Sequence, residues 1–238
     1  MPPAPVAITV EAGGGTTTAR LYGADAPRAA ITLVLAHGAG APQTHPFMVR
    51  FATGLASRGI DVATFNFLYT EQKRRLPDRM PALETCYRAV ITAVTGYAPW
   101  AGNRLAIGGK SMGGRTASHL AAAPGELEGR VSGLVLLGYP LHPPGKPETL
   151  RVAHLAAIHV PVLVVQGERD PFGSPLELAP HFGTIPGPVT VRAVPQGDHS
   201  LAPPKRTGPP VDEVYDGVLD TIAGWLRRLP GNGQAGRY

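Results

Sequence analysis

Ser111 lies in a segment that is typical of a nucleophilic serine. Residues Gly109-Lys110-Ser111-Met112-Gly113 have the pattern G-x-S-x-G, which follows the apolar run 104–107 and precedes a helix-like segment. In this pattern the serine occupies a strained turn between a strand and a helix, and its hydroxyl projects above the sheet. Glycine is needed at 109 and 113 because side chains there would collide where the strand and the helix cross. The spacing therefore predicts a nucleophilic hydroxyl at residue 111.

Two phosphate-binding motifs offer alternative interpretations of the glycine-rich segments. Gly109-Lys110-Ser111 would end the pattern G-x-x-x-x-G-K-[ST], but the first glycine of that pattern falls on Arg104. The dinucleotide pattern G-x-G-x-x-G is absent here and in residues 37–43. A chance match is the remaining alternative in a chain with 30 glycines. The flanking strand and helix patterns favour the nucleophile.

A serine hydroxyl is protonated at neutral pH, so Ser111 needs a base, and the base needs an orienting carboxylate. His199 follows the last predicted strand and Asp170 follows the strand before it. The chain order Ser, Asp, His is the one that a strand–serine–helix architecture uses. Glu168 is the nearest substitute for Asp170, although strand alternation points it elsewhere. Asp198 is expected to shape its own loop.

The remaining seven histidines have simpler explanations. His37 is expected to shape the turn after the first parallel strand. The other six lie in loop-like or helical contexts in which the sequence suggests no paired acid. We therefore expect His199 to be the base.

Acyl transfer through Ser111 would also need donors for an oxyanion. The backbone N–H of Met112, which opens the helix after the serine, is one expected donor. The turn Gly38-Ala39-Gly40 offers a second, from Ala39, although a turn of this composition is also typical of a simple flexible connection.

Four basic residues are candidates for substrate binding. Lys110 and Arg115 flank the serine, and Arg75 and Arg79 follow the second parallel strand on the same edge of the predicted sheet. These cations could receive an acidic acyl or leaving group. Ion pairing of the loop arginines with Asp78 or Glu84 is the alternative.

Strand-like and helix-like segments alternate from about residue 30 onward, which is typical of a parallel sheet covered on both faces. In such open sheets the functional groups collect at the carboxyl ends of the strands. A hairpin at 6–10 and 19–22 is expected to add an antiparallel edge. The parallel strands are predicted at 31–36, 62–67, 105–109, 133–138, 161–166 and 189–194, and the helices at 47–58, 81–96, 112–123, 176–181 and 211–228.

Bulk composition predicts one globular domain over residues 1–238, with loose ends at 1–5 and 230–238. Hydrophobic residues make up 43% and charged residues 16% of the chain. The net charge of +5 is spread without a long basic tract, so nucleic-acid binding is not expected. The single cysteine, Cys86, lies on a helical apolar stripe and is expected to be buried. Neither a signal peptide nor an apolar run long enough for a membrane span is seen, which predicts a soluble cytoplasmic protein.

Taken together, the motifs resemble those of the α/β-hydrolase superfamily. The resemblance covers nearly all of the chain and is closest to a small branch related to dienelactone hydrolases, which includes a testis-expressed hydrolase-like protein and a subunit of the NSL histone acetyltransferase complex. The matching segments are His37-Gly38-Ala39-Gly40-Ala41, Phe65-Asn66-Phe67, Arg75 with Pro77-Asp78-Arg79, Gly109 to Arg115, Gly138-Tyr139-Pro140 to Pro147, and Asp170-Pro171-Phe172-Gly173.

The resemblance implies an α/β-hydrolase fold, mostly parallel with helices on both faces, and a triad of Ser111, Asp170 and His199. It also brings Tyr139 into the set of possible substrate-binding residues. Dienelactone hydrolases use a cysteine nucleophile, so Ser111 argues against dienelactone as the substrate.

Only about 20 residues separate the predicted strands 133–138 and 161–166, so a minimal cap or none is expected. The proline-rich segment 141–150 is predicted either to cover one side of the site or to be surface padding. The expected function is a serine hydrolase for small ester or thioester substrates, acting without metal or cofactor as a monomer or homodimer. A non-catalytic binding module of the same fold is the alternative.

Overall fold

The computed structural model describes residues 4–123, 125, 127 and 129–230. Its centre is an eight-stranded sheet with the strand order β1-β2-β4-β3-β5-β6-β7-β8. The predicted loose ends fall largely on residues 1–3 and 231–238, which lie outside the described residues. The strands are β1 Val6–Glu11, β2 Thr16–Tyr22, β3 Ile31–Ala36, β4 Asp61–Phe65, β5 Arg104–Lys110, β6 Val131–Leu137, β7 Val162–Gly167 and β8 Val189–Val194.

The sheet is parallel from β4 to β8 and antiparallel only at its first edge. β1 pairs with β2 and β2 pairs with β4, both antiparallel, as the predicted hairpin requires. The central strands β3, β5 and β7 read as nearly continuous apolar runs because helices cover both of their faces. This is the α/β-hydrolase fold that the sequence predicted.

Within the described part of the chain, six α-helices flank the sheet: α1 Pro46–Ala56, α2 Leu68–Glu71, α3 Met80–Thr95, α4 Met112–Ala122, α5 Pro175–Phe182 and α6 Val211–Arg227. The five long helices match the predicted ones to within two residues at each end. The short helix α2 was not predicted, since four residues carry no periodic pattern.

Two apolar layers lie on opposite faces of the sheet. One packs α3 and α4 against it, and includes the buried Cys86 and Tyr87. The other packs α1 and α6 against it, centred on Phe51 and Trp225. Burial of a continuous apolar layer on each face holds the strand ends in register, and those ends carry the site.

Between β6 and β7 the only regular element is a single 3₁₀ turn, Leu155–Ala157. No helical cap covers the carboxyl edge of the sheet in the described residues, in agreement with the short spacing in the sequence.

Candidate active site

Ser111 lies in a sharp turn between the end of β5 and the start of α4. Its backbone has φ 50° and ψ −116°, a conformation that a non-glycine residue adopts only when its surroundings impose it. Its N–H donates to the carbonyl of Leu137 at 2.9 Å, and its side chain does not cap α4. The hydroxyl is therefore left available to other groups at the carboxyl edge.

Glycine at 109 and 113 is required by close backbone contact, as predicted. A Cβ at Gly109 would lie 2.4 Å from the carbonyl carbon of Gly113, and one at Gly113 would lie 2.5 Å from the carbonyl oxygen of Ala36. Those distances are far below van der Waals contact and involve backbone atoms, which cannot move aside cheaply. The turn thus brings α4, β5 and the end of β3 together around Ser111.

A continuous hydrogen-bonded chain joins Ser111, His199 and Asp170. His199 Nε2 lies 2.9 Å from Ser111 Oγ, and His199 Nδ1 lies 2.8 Å from Asp170 Oδ2. These residues come from the ends of β5, β7 and β8, 59 or more positions apart for Ser111 and either partner. With Nδ1 protonated and donating to the carboxylate, Nε2 is free to accept the serine proton.

The Asp170 carboxylate is held by further hydrogen bonds. Phe172 N–H donates to Oδ1 at 2.9 Å, and the side-chain amide of Gln166 donates to Oδ2 at 2.9 Å. Only 4% of Asp170 is exposed. Because every contact is an N–H donor, the carboxylate is stabilised as an acceptor and its orientation toward His199 is restricted.

The other two carboxylates near the triad accept hydrogen bonds from backbone N–H groups. Asp198 accepts from Ser200 and Ala202, which closes the loop that carries His199, as the sequence suggested. Glu168, the nearest substitute for Asp170, accepts from Gln196 at 2.9 Å, whereas the His199 ring bonds to Asp170 and Ser111.

One face of the His199 ring packs against Phe172, with ring centroids 4.2 Å apart. This contact and Gln166 were missed from the sequence. Phe172 follows Asp170 by two residues, so its place in the loop was known, but its direction was not.

The turn after β3 lies directly against the nucleophile. A Cβ at Gly38 would lie 3.5 Å from the Cβ of Ser111. Neither Ala39 N–H nor Met112 N–H has a hydrogen-bond partner among the described residues. Two unpaired donors beside the hydroxyl are what a developing oxyanion needs.

His37 anchors that turn, as the sequence suggested. Its Nε2 accepts from Phe67 N–H at 3.1 Å, and its Nδ1 donates to the carbonyl of Gly38 at 2.7 Å. The ring is fully buried, and burial lowers the pKa of His37 to about 4. The neutral ring thus links Phe67, just before α2, to the turn that carries the proposed oxyanion donor Ala39.

A cavity of about 440 Å³ opens beside Ser111. This volume is in the range of sites for small ligands. Its lining is Gly38, Ala39, Ala41, His45, Phe47, Met48, Lys110, Ser111, Met112, Arg115, Pro140, Arg151, Phe172, His199 and Ser200. The proline-rich segment 141–150 contributes no lining residue, and residues 144–150 are exposed, which agrees with the surface-padding alternative.

Lys110 and Arg115, the two cations that flank Ser111, line this cavity. Lys110 is only 9% exposed, and burial lowers its pKa to about 8, against the opposing effect of the negative charges of Asp170 and Asp198. Its Nζ has no hydrogen-bond partner among the described residues. The cavity also contains Arg151, which the sequence reasoning missed because it lies at the end of an irregular loop.

Three residues named from the sequence as possible substrate-binding groups do not reach the cavity. Arg75 and Arg79 are exposed in the segment between α2 and α3, where the neighbouring Arg74 pairs with Asp78 at 2.7 Å. Tyr139 is fully buried, and its hydroxyl donates to the carbonyl of Arg151 at 2.6 Å. Tyr139 therefore supports the backbone of Arg151 and is not itself exposed to a ligand.

Two other histidines do have acidic neighbours, contrary to the sequence-based expectation. His119 Nδ1 lies 3.5 Å from Glu84, and His142 Nε2 lies 3.6 Å from Glu177. Both pairs join segments that are distant in sequence or separated by a loop, so the sequence could not indicate them. Neither histidine lines the cavity.

The described part of the chain has no cluster of three or more His, Cys, Asp or Glu side chains arranged to hold a metal ion. Among the same residues, none of the helices has the length and apolar character needed to cross a membrane.

The fold and this site define an α/β hydrolase, and comparison with known families agrees. The alpha/beta hydrolase domain matches residues 29–227, so the chain belongs to that family.

Solved structures with the same fold cover nearly the whole chain. A dienelactone hydrolase from Anabaena variabilis has a TM-score of 0.75 at 18% identity, over 96% of this chain and 99% of the other. A serine hydrolase without a lid from Xanthomonas campestris has a TM-score of 0.74 at 21% identity, over 97% and 99%. A cold-adapted esterase from an Arctic intertidal metagenomic library has a TM-score of 0.65 at 16% identity, over 94% and 93%. At these identities the similarity establishes the shared fold.

Proposed function

We propose that this protein is a serine hydrolase that cleaves small carboxylic ester or thioester bonds through an acyl-enzyme. The observation that carries the proposal is the hydrogen-bonded chain from Ser111 through His199 to Asp170, at 2.9 and 2.8 Å. Distances of this length are those at which a base removes a hydroxyl proton.

In the first step Ser111 Oγ attacks the substrate carbonyl while His199 Nε2 takes its proton. Asp170 orients the imidazole and stabilises the imidazolium that forms. The negative charge on the carbonyl oxygen is received by the N–H groups of Ala39 and Met112. His199 then protonates the leaving group as its bond to the acyl carbon breaks.

In the second step water replaces the leaving group. His199 removes a proton from water, the hydroxide attacks the acyl-enzyme, and Ser111 leaves with the proton that His199 returns. Two of the structural neighbours are a serine hydrolase and an esterase, which supports the same reaction class for this chain.

The test is covalent labelling with an uncharged fluorophosphonate, followed by turnover of p-nitrophenyl acetate. We expect the wild type to be labelled at Ser111 and to release p-nitrophenolate. Ser111→Ala should lose the label, and its turnover should fall by ~10³-fold or more, because one missing triad member removes most of the catalysis.

Ser118→Ala is the matched control, since Ser118 is a buried serine on α4 outside the cavity. Labelling should survive in that variant. If the wild type shows neither labelling nor turnover, the serine-hydrolase proposal is wrong. The non-catalytic binding module, which the resemblance to a chromatin-complex subunit suggests, would then be favoured.

A further inference from the structure

The charge of the cavity beside Ser111 is uniformly positive. Lys110, Arg115 and Arg151 line it, and none of its fifteen lining residues is acidic. No carboxylate in the described part of the chain lies within 4 Å of any of these three cations. Three cations that line one cavity without a paired carboxylate indicate that a bound ligand supplies the negative group.

Lys110 is the most informative of the three. Its Nζ is buried and has no hydrogen-bond partner, and a buried ammonium is costly unless it is paired. It lies close to His199, because a Cβ built at Gly138 would be 2.9 Å from Nζ and 3.4 Å from His199 Nδ1. The charged groups that act on it are Asp170 and Asp198, neither of which pairs with it directly.

Arg115 and Arg151 form a second, more open pair. Arg115 Nε is buried without a partner among the described residues, and burial, together with the charge of Arg115, lowers the pKa of Arg151. The Arg151 guanidinium has one weak contact, with the carbonyl of Pro140 at 3.4 Å. An anion between the two would relieve their repulsion and accept paired N–H donors.

We propose that the substrate carries a carboxylate or phosphate group a few bonds from the scissile carbonyl, and that Lys110, Arg115 and Arg151 bind it. This inference rests on the proposed function. Arg115 follows Ser111 by one turn of α4 and both residues line the same cavity, so the anionic group and the scissile carbonyl bind in one cavity. The cavity volume of about 440 Å³ suits a small molecule of this kind. The anionic group is bound unchanged while the ester bond is cleaved.

The test compares esters that differ only in charge. On the acyl side, p-nitrophenyl hydrogen glutarate is compared with p-nitrophenyl pentanoate. On the leaving-group side, 4-acetoxybenzoate is compared with its methyl ester. Inhibition by glutarate and by inorganic phosphate at constant ionic strength then distinguishes carboxylate from phosphate recognition. We expect kcat/KM to be at least ~10-fold higher for the anionic member of one pair, the advantage of a charge-assisted hydrogen bond.

The variants are Lys110→Met, Arg115→Met and Arg151→Met, with Arg192→Gln on the exposed surface of β8 as the charge-matched control. In each cavity variant kcat/KM should fall ~10- to 100-fold further for the anionic ester than for the neutral one, whereas Arg192→Gln should leave the ratio of the two unchanged. Arg151→Lys should recover part of the loss, because it keeps the charge without the guanidinium fork.

Equal kcat/KM for both members of both pairs would overturn the anion site, as would a parallel loss on charged and neutral esters in every cavity variant. The serine-hydrolase proposal would survive that result if the neutral esters are still hydrolysed. Binding of glutarate and phosphate to Ser111→Ala, measured by calorimetry, tests the anion site even if no ester is hydrolysed. Binding that is absent there, or unchanged by Arg151→Met, would also overturn it.

Discussion

At the scale of single residues, the buried charge of Lys110 is expected to lower the stability of the folded state while it contributes to the proposed anion site. The ammonium group of Lys110 is buried in the wall of the cavity and has no hydrogen-bond partner among the described residues. Burial therefore lowers its pKa to about 8, from an ordinary value of 10.5. A buried ammonium without a partner is expected in a site that binds an anion, because the anionic ligand supplies the negative charge that the protein lacks there.

Replacing Lys110 by methionine should raise the free energy of unfolding at pH 7 by ~1 to 3 kcal/mol, because the unpaired charge is removed. The folded state binds the Lys110 proton less tightly than the unfolded state. The penalty is therefore complete below pH 8 and disappears as the pH rises toward 10.5. Urea unfolding at pH 7 and pH 9.5 measures this, and the gain should shrink at the higher pH. A variant less stable than the wild type at both pH values would contradict the prediction.

Prediction of single residues from the sequence worked best where the chemistry requires particular residue types in a particular order along the chain. Ser111, Asp170 and His199 follow the ends of β5, β7 and β8 in the order that the mechanism requires, and the structure brings them within hydrogen-bond distance. Arg151 was missed because it lies in an irregular segment whose sequence has neither a helical nor a strand-like hydrophobic pattern. Arg75 and Arg79 do not line the cavity, because a strand end specifies an edge of the sheet but not the direction of an exposed side chain.

At the level of elements, the site depends on how closely α4 and β5 cross. The crossing is possible only because Gly109 and Gly113 have no side chains, and it forces Ser111 into its strained conformation. The turn after β3 then packs against the same crossing, with His37 bonded to Phe67 just before α2. Strand ends, helix and turn are therefore positioned together.

Gly113→Ala should disrupt the site, because its Cβ would lie 2.5 Å from the carbonyl oxygen of Ala36 and 2.6 Å from that of His37. Overpacking of this kind costs ~1 to 3 kcal/mol, and the displaced turn carries a proposed oxyanion donor. We expect fluorophosphonate labelling to slow by ~10²-fold or more. Gly217→Ala on α6 is the control, since its Cβ meets nothing within 4 Å. Labelling unchanged in Gly113→Ala would contradict this account of the turn.

At the level of the whole molecule, three histidines are kept neutral by burial. Burial lowers the pKa of His37 and His119 to about 4 and that of His154 to about 3. The rings of His119 and His154 stack at 3.8 Å between α4 and the segment before the 3₁₀ turn. His37 accepts a hydrogen bond from Phe67, just before α2, and His154 lies 2.7 Å from the hydroxyl of Ser118 on α4, so protonation of these rings acts on contacts between segments distant in sequence.

We expect the free energy of unfolding to fall as the pH decreases from 6.5 to about 4. Between these pH values the histidines are protonated in the unfolded chain but stay neutral in the folded chain, so protonation favours unfolding. Above pH 6.5 they are neutral in both states and the free energy of unfolding is not reduced by them. His37 alone accounts for about 2 kcal/mol between pH 6.5 and pH 5. Urea unfolding at pH 7.5 and 5.0 should show a smaller pH effect in His37→Gln, with the exposed His159→Gln as control. An identical pH dependence in the wild type and His37→Gln would refute the assignment.

The sequence by itself determined the order of strands and helices, the glycines of the crossing and the three residues of the proposed triad. These are local properties: hydrophobic period, turn composition, and residue type at the end of a strand. Only the tertiary structure decided that Phe172 packs on His199, that Tyr139 turns inward, and that Lys110, Arg115 and Arg151 surround one cavity without a counterion. Those facts depend on which side chains meet across different strand ends, and residues that meet there can be more than 30 positions apart. Packing of two apolar layers on one sheet sets those distances, and no local pattern in the chain encodes them.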